Sequence, residues 1–211
     1  MTALAARIAD RLTLFGISFS EPQLAGLTSY VELLQKWNTK VNLTALSLVE
    51  PVPVAVLDKL VVEPLCASPL WPEQVETWYD LGSGGGSPAV PLRIFHPGGD
   101  LAMVEARGRK CAFLSEAVRV LGLPRTHVLN KRFEDLATNG AVDLVTVRAV
   151  RPDATFSRIA AKLLRAHGVL LGFGCSVSGA EFVAGADAPL PDGSRVIRFE
   201  RMFHVEHWSN P

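Results

Sequence analysis

Two periodicities divide the chain near residue 75. Before that point, apolar residues recur every three or four positions, which predicts amphipathic helices over 3–15, 21–37 and 53–66. The second of these begins with the capping box Ser20-Glu21-Pro22-Gln23, which satisfies free amide groups at a helix N-terminus. We expect residues 1–74 to form an N-terminal helical cap that is part of one compact unit with the rest of the chain.

After residue 75, short β-rich segments alternate with helical segments. The predicted strands are 77–81, 101–105, 126–129, 143–147, 168–172 and 195–203. The predicted helices between them are 88–95, 108–121, with Gly122 as its stop, and 153–164. This alternation is typical of parallel strands with short crossovers. Residues 75–211 are therefore expected to form an α/β core, a Rossmann-like doubly wound sheet with helices on both faces.

The composition restricts the class of protein but does not indicate a function. With 211 residues, 48% hydrophobic, the chain suits one α/β domain with a small appendage. Lysine plus arginine and aspartate plus glutamate both total 21, so only a local patch would attract a nucleic acid. We find no apolar stretch long enough to span a bilayer and no signal peptide, and we expect a cytoplasmic protein. The scattered cysteines and histidines predict neither disulfides nor a metal site.

The strongest local signal is the glycine-rich segment DLGSGGGSP, which follows the first predicted strand. A P-loop would end in Gly-Lys-Ser/Thr, but here Ser87-Pro88 follows the glycines, so that class is rejected. A dinucleotide-binding GxGxxG loop matches poorly without being excluded. The pattern of S-adenosylmethionine-dependent methyltransferases, an acidic residue followed by GxGxG, fits without a gap. Its members are Asp80, Gly82, Gly84 and Gly86.

Three further residues stand at or after predicted strand ends. Glu105 is placed to accept hydrogen bonds from ribose hydroxyls, which nicotinamide and S-adenosylmethionine folds share. Phe133, in the segment 131–135, is placed to pack on an adenine, although a charged surface turn is the alternative. Arg148 is placed to hold a carboxylate or phosphate through its planar guanidinium, unless it is an ordinary surface arginine.

Basic residues also cluster at the predicted strand ends, which lie on one edge of a parallel sheet. Such a cluster either gives a local positive field for an anionic substrate or is an ordinary set of solvated side chains. Its members are Arg107, Arg109, Lys110, Lys131, Arg132, Arg148 and Arg151.

Taken together, six segments in register resemble the RsmG methyltransferases, also called glucose-inhibited division protein B. They are LLQKWNTKVNLTAL, VLDKLVVEPL, DLGSGGGSPAVPL, EARGRKCAFL, KRFEDL and VTVRAV, and the resemblance covers roughly residues 4–175. It implies a Rossmann-like class I methyltransferase that transfers a methyl group from S-adenosylmethionine to N7 of a guanine in 16S ribosomal RNA. The implied partner is that RNA or the small ribosomal subunit, with no membrane, and we expect a monomer.

The resemblance also implies site residues. Cofactor contacts fall on Gly82, Ser87, Phe133, Glu134 and Arg148, to which the loop and strand patterns add Asp80, Gly84, Gly86 and Glu105. Asn42 and Thr44 match a family segment on the substrate side, where Arg107, Arg109, Lys110, Arg132 and Arg151 are the candidate RNA contacts. Arg148 is the residue whose loss we expect to cripple activity, because it positions a ligand rather than transferring a proton.

The chain departs from the family pattern at several positions. Val54-Ala55 stand where Arg-His is usual, Lys59 stands where Ser is usual, and Gly85-Gly86-Ser87-Pro88 replace a loop in which Pro-Gly and a large apolar residue are more common. Two alternatives therefore remain at this point. One is a ribosome-associated RNA-binding protein with a vestigial cofactor fold, and the other is an NAD(P)-dependent oxidoreductase.

Overall fold

The computed structural model describes residues 1–149, 153–177 and 179–202. Its strands are β1 (Thr77–Leu81), β2 (Asp100–Glu105), β3 (Thr126–Asn130), β4 (Val142–Arg148), β5 (Leu164–Phe173), β6 (Phe182–Pro189) and β7 (Arg195–Arg201). They form one seven-stranded sheet in the order β3-β2-β1-β4-β5-β7-β6. The first five strands in that order are parallel, which confirms the predicted α/β core, and β7 and β6 are antiparallel additions at one edge.

The helices lie before and between the strands. They are α1 (Ala3–Leu14), α2 (Glu21–Asn38), α3 (Val54–Leu57), α4 (Glu63–Leu65), α5 (Ala89–Phe95), α6 (Gly108–Leu121) and α7 (Ala154–Leu163). A π-helical turn, Asp58–Val62, joins α3 to α4, and short 3₁₀ turns occur at Ser68–Leu70 and Phe133–Asp135. No helix among the described residues is both long and apolar enough to cross a membrane.

Local sequence signals explain the helix ends. The predicted capping box is present at α2, because Ser20 Oγ accepts from Gln23 N and Gln23 Oε1 accepts from Ser20 N at 2.8 Å. The α6 helix ends at Gly122, which has the left-handed φ of +58° that glycine adopts without strain. Both predictions are thus confirmed at the level of individual atoms.

Helices cover both faces of the sheet. On one face, the cap helices and α6 form a continuous core with the sheet, in which Leu12, Leu34 and Phe113 join Trp78 and Leu144. On the other face, α7 packs Phe156 and Ala160 against strand residues. The N-terminal helices therefore share one hydrophobic core with the sheet.

The structure corrects several predicted bounds. The helix predicted over 53–66 is interrupted by the π-helical turn, because Pro64 has no amide hydrogen to continue the α-helical pattern. The fifth strand is longer than 168–172 and covers Leu164–Phe173. The last strand ends at Arg201, and the predicted end at Phe203 lies outside the described residues. Strand β6 was not predicted, since most of its side chains are exposed at the sheet edge and give no apolar period.

Gly99 offers a test of the connection that leads into β2. Its φ is +69°, and a Cβ there would overlap the Val75 carbonyl oxygen and lie 3.1 Å from Glu76 O. Gly122 also has a positive φ but has nothing within 4 Å of its Cβ position. We expect Gly99→Ala to lower the free energy of unfolding by about 3 kcal/mol or more, through backbone strain and overlap together.

The control, Gly122→Ala, should cost only about 1–2 kcal/mol, from the left-handed backbone alone. Chemical denaturation of the three proteins measures both values. Equal losses at the two positions would contradict the close approach of Gly99 to the segment before β1.

Candidate functional site

A cavity of about 480 Å³ lies where β1, β2 and β4 end, at the carboxyl edge of the parallel sheet. This volume falls within the roughly 300–1,000 Å³ typical of small-molecule sites. The glycine-rich loop forms one wall, and the cap helices and the segment after α2 form others. The lining residues are Leu34, Leu43, Thr44, Leu46, Lys59, Leu60, Gly82, Ser83, Gly84, Gly85, Ser87, Glu105, Arg107, Lys110, Arg148 and Ala149.

The glycine-rich loop is fixed to β2 by its own amides. Gly82 N and Ser83 N both donate to the Val104 carbonyl, at 2.9 and 3.0 Å. Gly84 N donates to Glu105 Oε2 at 3.0 Å. The φ angles of +77° at Gly82 and +53° at Gly84 favour glycine, so the tight turn that faces the cavity depends on these two residues.

Gly86 has a packing role instead of a place in the cavity wall. A Cβ there would lie 2.9 Å from Val90 Cγ2 and 3.3 Å from Tyr30 Cε2, so a side chain would displace α5 or α2. Tyr30 also donates a hydrogen bond of 2.8 Å to the Gly85 carbonyl. The cap therefore supports the loop from behind.

Glu105 is the carboxylate of the cavity. Its side chain accepts from Gly84 N at one oxygen and from Arg107 N, at 2.8 Å, at the other. A carboxylate has about four acceptor positions, so two remain for a ligand. Glu105 and Gly82 line both the main cavity and a second one of about 270 Å³, so the two cavities adjoin at these residues.

The second cavity contains the predicted adenine side. Phe133 and Glu134 line it together with Lys131 and Arg132. The Phe133 ring packs edge-to-face on Phe156, with 5.7 Å between ring centroids, which fixes the ring at the cavity wall. The exposed Arg132 side chain lies 3.6 Å from the Glu134 carboxylate.

Asp80 is buried beneath the loop and does not line either cavity. Its Oδ1 accepts a 2.6 Å hydrogen bond from Thr146 Oγ1, which in turn accepts from Trp78 Nε1 at 2.9 Å. Its Oδ2 is buried without a partner among the described residues. Burial raises the pKa of the Asp80 carboxyl to about 6, against the opposing effect of hydrogen bonds and of Arg148.

Arg148 and Ser87 reach the cavity but are also bound from behind. Arg148 Nη2 lies 2.8 Å from Glu63 Oε2, and its Nη1 donates to Lys59 O and Ser87 Oγ. Ser87 Oγ donates to the Leu60 carbonyl at 3.0 Å. Burial lowers the pKa of the Arg148 guanidinium, although Glu63 opposes this shift, and burial raises the pKa of the Glu63 carboxyl. The positive charge of Arg148 is therefore paired with the buried carboxylate of Glu63.

The candidate substrate residues that the structure describes are distributed over three neighbouring cavities. Thr44, Arg107 and Lys110 line the main cavity, whereas Asn42 and Arg109 line a neighbouring groove of about 310 Å³. Arg107 and Lys110 belong to both, so the groove adjoins the main cavity. Arg132 is on the side of Phe133, away from this groove. Arg151 lies outside the described residues.

Several residues of the site were not among the sequence candidates. They are Leu34, Lys40, Leu43, Lys59, Glu63 and Ser83. Lys40 and Leu43 lie in the same segment as the candidates Asn42 and Thr44, so the sequence already indicated that this segment is part of the site. No sequence pattern indicates a role for Glu63, because only the fold brings its carboxylate within hydrogen-bond distance of Arg148.

Comparisons with known proteins agree with this geometry. The model of the family GidB, rRNA small subunit methyltransferase G, matches residues 23–203. Ribosomal RNA small subunit methyltransferase G of Laribacter hongkongensis is 38% identical over 154 residues, 72% of this chain and 71% of that protein. The protein of that name from Neisseria meningitidis serogroup A is 37% identical over 163 residues, 77% of this chain and 75% of its own.

The chain belongs to the rRNA small subunit methyltransferase G family. The resemblance inferred from the six segments is thereby confirmed.

Solved structures support the fold of this family member. A putative O-methyltransferase from Klebsiella pneumoniae aligns with a TM-score of 0.58 at 14% identity, covering 94% of this chain and 97% of its own. A SAM dependent methyltransferase from Aquifex aeolicus gives 0.54 at 13% identity, covering 68% and 92%. The predicted class I methyltransferase fold is confirmed, and neither alternative function gains support.

The buried carboxyl of Asp80 predicts a pH dependence of stability. Its pKa rises from an ordinary 3.8 to about 6 on folding, so the folded state binds more protons between these values. The free energy of unfolding therefore falls as pH rises from about 4 to 6, by up to about 3 kcal/mol. Denaturation of wild type and Asp80→Asn across pH 4–8 isolates this contribution as the difference between them. A difference that stays constant with pH would contradict a buried, poorly solvated carboxylate at this position.

Proposed function

We propose that this protein transfers a methyl group from S-adenosylmethionine to N7 of a guanine in 16S ribosomal RNA. The observation that carries the proposal is the pair of adjoining cavities at the carboxyl edge of the sheet, joined at Gly82 and Glu105, in a member of this family. Ligands of open α/β sheets bind at that edge, where neighbouring connections diverge.

The residues fit a nucleoside cofactor. The two free acceptor positions of Glu105 suit a pair of ribose hydroxyls, and the second cavity beside Phe133 suits the flat adenine. A Cβ at Gly84 would lie 3.7 Å from Gly82 O and 3.8 Å from Lys110 Nζ. Gly84 and Lys110 both line the main cavity, so a larger side chain at position 84 would crowd its wall. The methionine part then belongs in the main cavity, near Ser83 and Ser87.

The cofactor supplies an electrophilic methyl group on a cationic sulfur. Guanine N7 carries a free lone pair at neutral pH, so the protein needs no general base to expose it. The contribution of the chain is to hold the two reactants in line, which is worth several orders of magnitude in rate. Arg148 acts here by shaping the cavity wall between the cap and the glycine loop.

The RNA contacts are proposed for the groove beside the main cavity. Lys40, Arg107, Arg109 and Lys110 line it, and none of the four makes an ion pair with a carboxylate in 1–149, 153–177 or 179–202. Their charge is therefore free to meet phosphates, and the α6 N-terminus at Gly108 adds a positive dipole end. Asn42 lines this groove, and Thr44 lines the main cavity that adjoins it.

The remaining parts of the proposal concern the setting. We expect the partner to be 16S RNA, free or in the small ribosomal subunit, and the protein to act in the cytoplasm as a monomer. Residues 1–74 act as a cap that supports the cofactor loop through Tyr30. The cap and the core, 75–211, work as one unit.

Methyl transfer to small-subunit RNA tests the proposal. With S-adenosylmethionine labelled in its methyl group, we expect incorporation at one guanine of the RNA. At that guanine the RNA strand should become cleavable by borohydride reduction followed by aniline. RNA transcribed with 7-deazaguanosine has carbon in place of N7 and should accept no methyl group. Incorporation that is unchanged in the 7-deaza RNA would contradict N7 as the acceptor.

The groove predicts a salt-dependent RNA contact. We expect the double variant Lys40→Ala/Arg109→Ala to weaken RNA binding at all sequences and to reduce the salt slope of the logarithm of affinity by about 2. Filter binding at several salt concentrations measures the slope. Affinity for S-adenosylmethionine should stay unchanged, because neither residue lines the cofactor cavities.

Arg125→Ala is the matched control for surface charge. Arg125 is exposed and pairs with Asp100 at the opposite edge of the sheet, where β2 begins. Its replacement should leave both RNA affinity and salt slope unchanged. An equal loss in this control would assign the effect to overall charge and not to the groove.

A further inference from the structure

The third helical segment of the cap, here called the cap helix, consists of α3, the π-helical turn and α4. Its α-helical pattern is interrupted at Lys59 and Leu60, which line the main cavity. In an α-helix the amide of residue 64 would bond to Leu60 O, and in a π-helix to Lys59 O. Residue 64 is proline and has no amide hydrogen. Glu63 N still closes the π-helical turn by donating to Asp58 O. Residue 64 thus supplies no donor to either carbonyl.

Side chains from the cavity wall supply donors to these two carbonyls. Arg148 Nη1 donates to Lys59 O at 2.6 Å, and Ser87 Oγ donates to Leu60 O at 3.0 Å. Arg148 Nη1 also donates to Ser87 Oγ at 3.0 Å, which ties the two together. The end of β4 and the end of the glycine loop are in this way attached to the same break in the cap.

Glu63 holds the guanidinium of Arg148 through a buried ion pair. Its carboxylate is 1% exposed and lies 2.8 Å from Arg148 Nη2 and 3.0 Å from Lys59 Nζ. Lys59 continues the chain of charges to Asp192, at 2.7 Å, in the turn between β6 and β7. Glu63 does not line the cavity, whereas Arg148, Lys59 and Ser87 do.

We propose that Glu63 is a positioning residue of the cofactor site: it holds Arg148, and through Arg148 the hydroxyl of Ser87, in the arrangement that binds cofactor. This inference rests on the proposed function. A carboxylate that holds Nη2 selects one direction for the planar guanidinium, because Nη1 then points to Lys59 O and Ser87 Oγ. Without the carboxylate, several directions become available and the cavity wall is no longer fixed.

The test is cofactor affinity in a double-mutant cycle on the full chain. Glu63→Gln keeps the size and an acceptor but removes the charge, and we expect it to raise the Kd for S-adenosylmethionine on the order of tenfold. Arg148→Met removes the group through which Glu63 acts, while Lys59 still pairs with Glu63. In the Arg148→Met background, Glu63→Gln should change the Kd by less than about twofold. Calorimetric titration gives all four values.

Asp143→Asn is the control for the loss of a buried carboxylate. Asp143 is 5% exposed, lies at the other end of β4 and pairs with Arg165. Its replacement should lower the melting temperature and leave the Kd unchanged. In the methyl-transfer assay, Glu63→Gln should raise the KM for S-adenosylmethionine with little change in kcat at saturation, a split that a general loss of stability does not produce.

Three results would overturn the inference: wild-type affinity in Glu63→Gln, an equal loss in both backgrounds, or an equal loss in Asp143→Asn. If Glu63→Gln does not fold, the double variant, which lacks both charges, is compared with Arg148→Met alone, and unequal affinities overturn it. Wild-type protein that fails to bind S-adenosylmethionine would instead overturn the proposed function itself.

Discussion

The order of the strands creates the site. Within the sheet, β2 pairs with β1 on one side and β4 pairs with β1 on the other. The connection after β1 leads to β2, and the connection after β4 leads in the opposite direction to β5. The connections that follow β1 and β4 therefore diverge, and a crevice opens between them at the carboxyl edge. Every residue that lines the main cavity comes from this edge or from the cap above it. A glycine-rich turn is needed there because β1 must end and reverse within a few residues.

A second constraint is the need to satisfy every buried backbone group. Pro64 interrupts the cap helix, and the side chains of Arg148 and Ser87 donate to the two carbonyls that its missing amide affects. A local defect in a helix is thus turned into an attachment between the cap, the end of β4 and the cofactor loop. The same physical rule fixes the loop itself, since the amides of Gly82 and Ser83 both donate to the Val104 carbonyl of β2.

Much of the fold follows from local sequence, and the reasons are physical. The strands β2 and β4 are buried along nearly their whole length, so they appear as largely apolar runs. Ser20 and Gly122 carry their own capping chemistry. The edge strand β6 gives no such run, because most of its side chains are exposed. The sequence pattern does not predict the interruption of the helix over 53–66, because the apolar period continues through Pro64.

The candidate site was predictable only in part. Glu105 is the last residue of β2 and Gly82 directly follows β1, so their position along the chain places them at the sheet edge. Asp80 follows the same rule, but its side chain points into the core towards Thr146 instead of into the cavity. The group formed by Glu63, Lys59 and Asp192 comes from segments more than 100 residues apart and depends on packing that no local pattern encodes.

The central claim is that the cavity at the β1 and β4 ends binds S-adenosylmethionine. Calorimetric titration of the purified protein with S-adenosylmethionine and, separately, with NADH tests it most directly, with Gly84→Val as the variant that adds a side chain to the glycine loop at the cavity wall. We predict binding of S-adenosylmethionine alone, and its loss in Gly84→Val. Binding of NADH, or of neither ligand, would contradict the account.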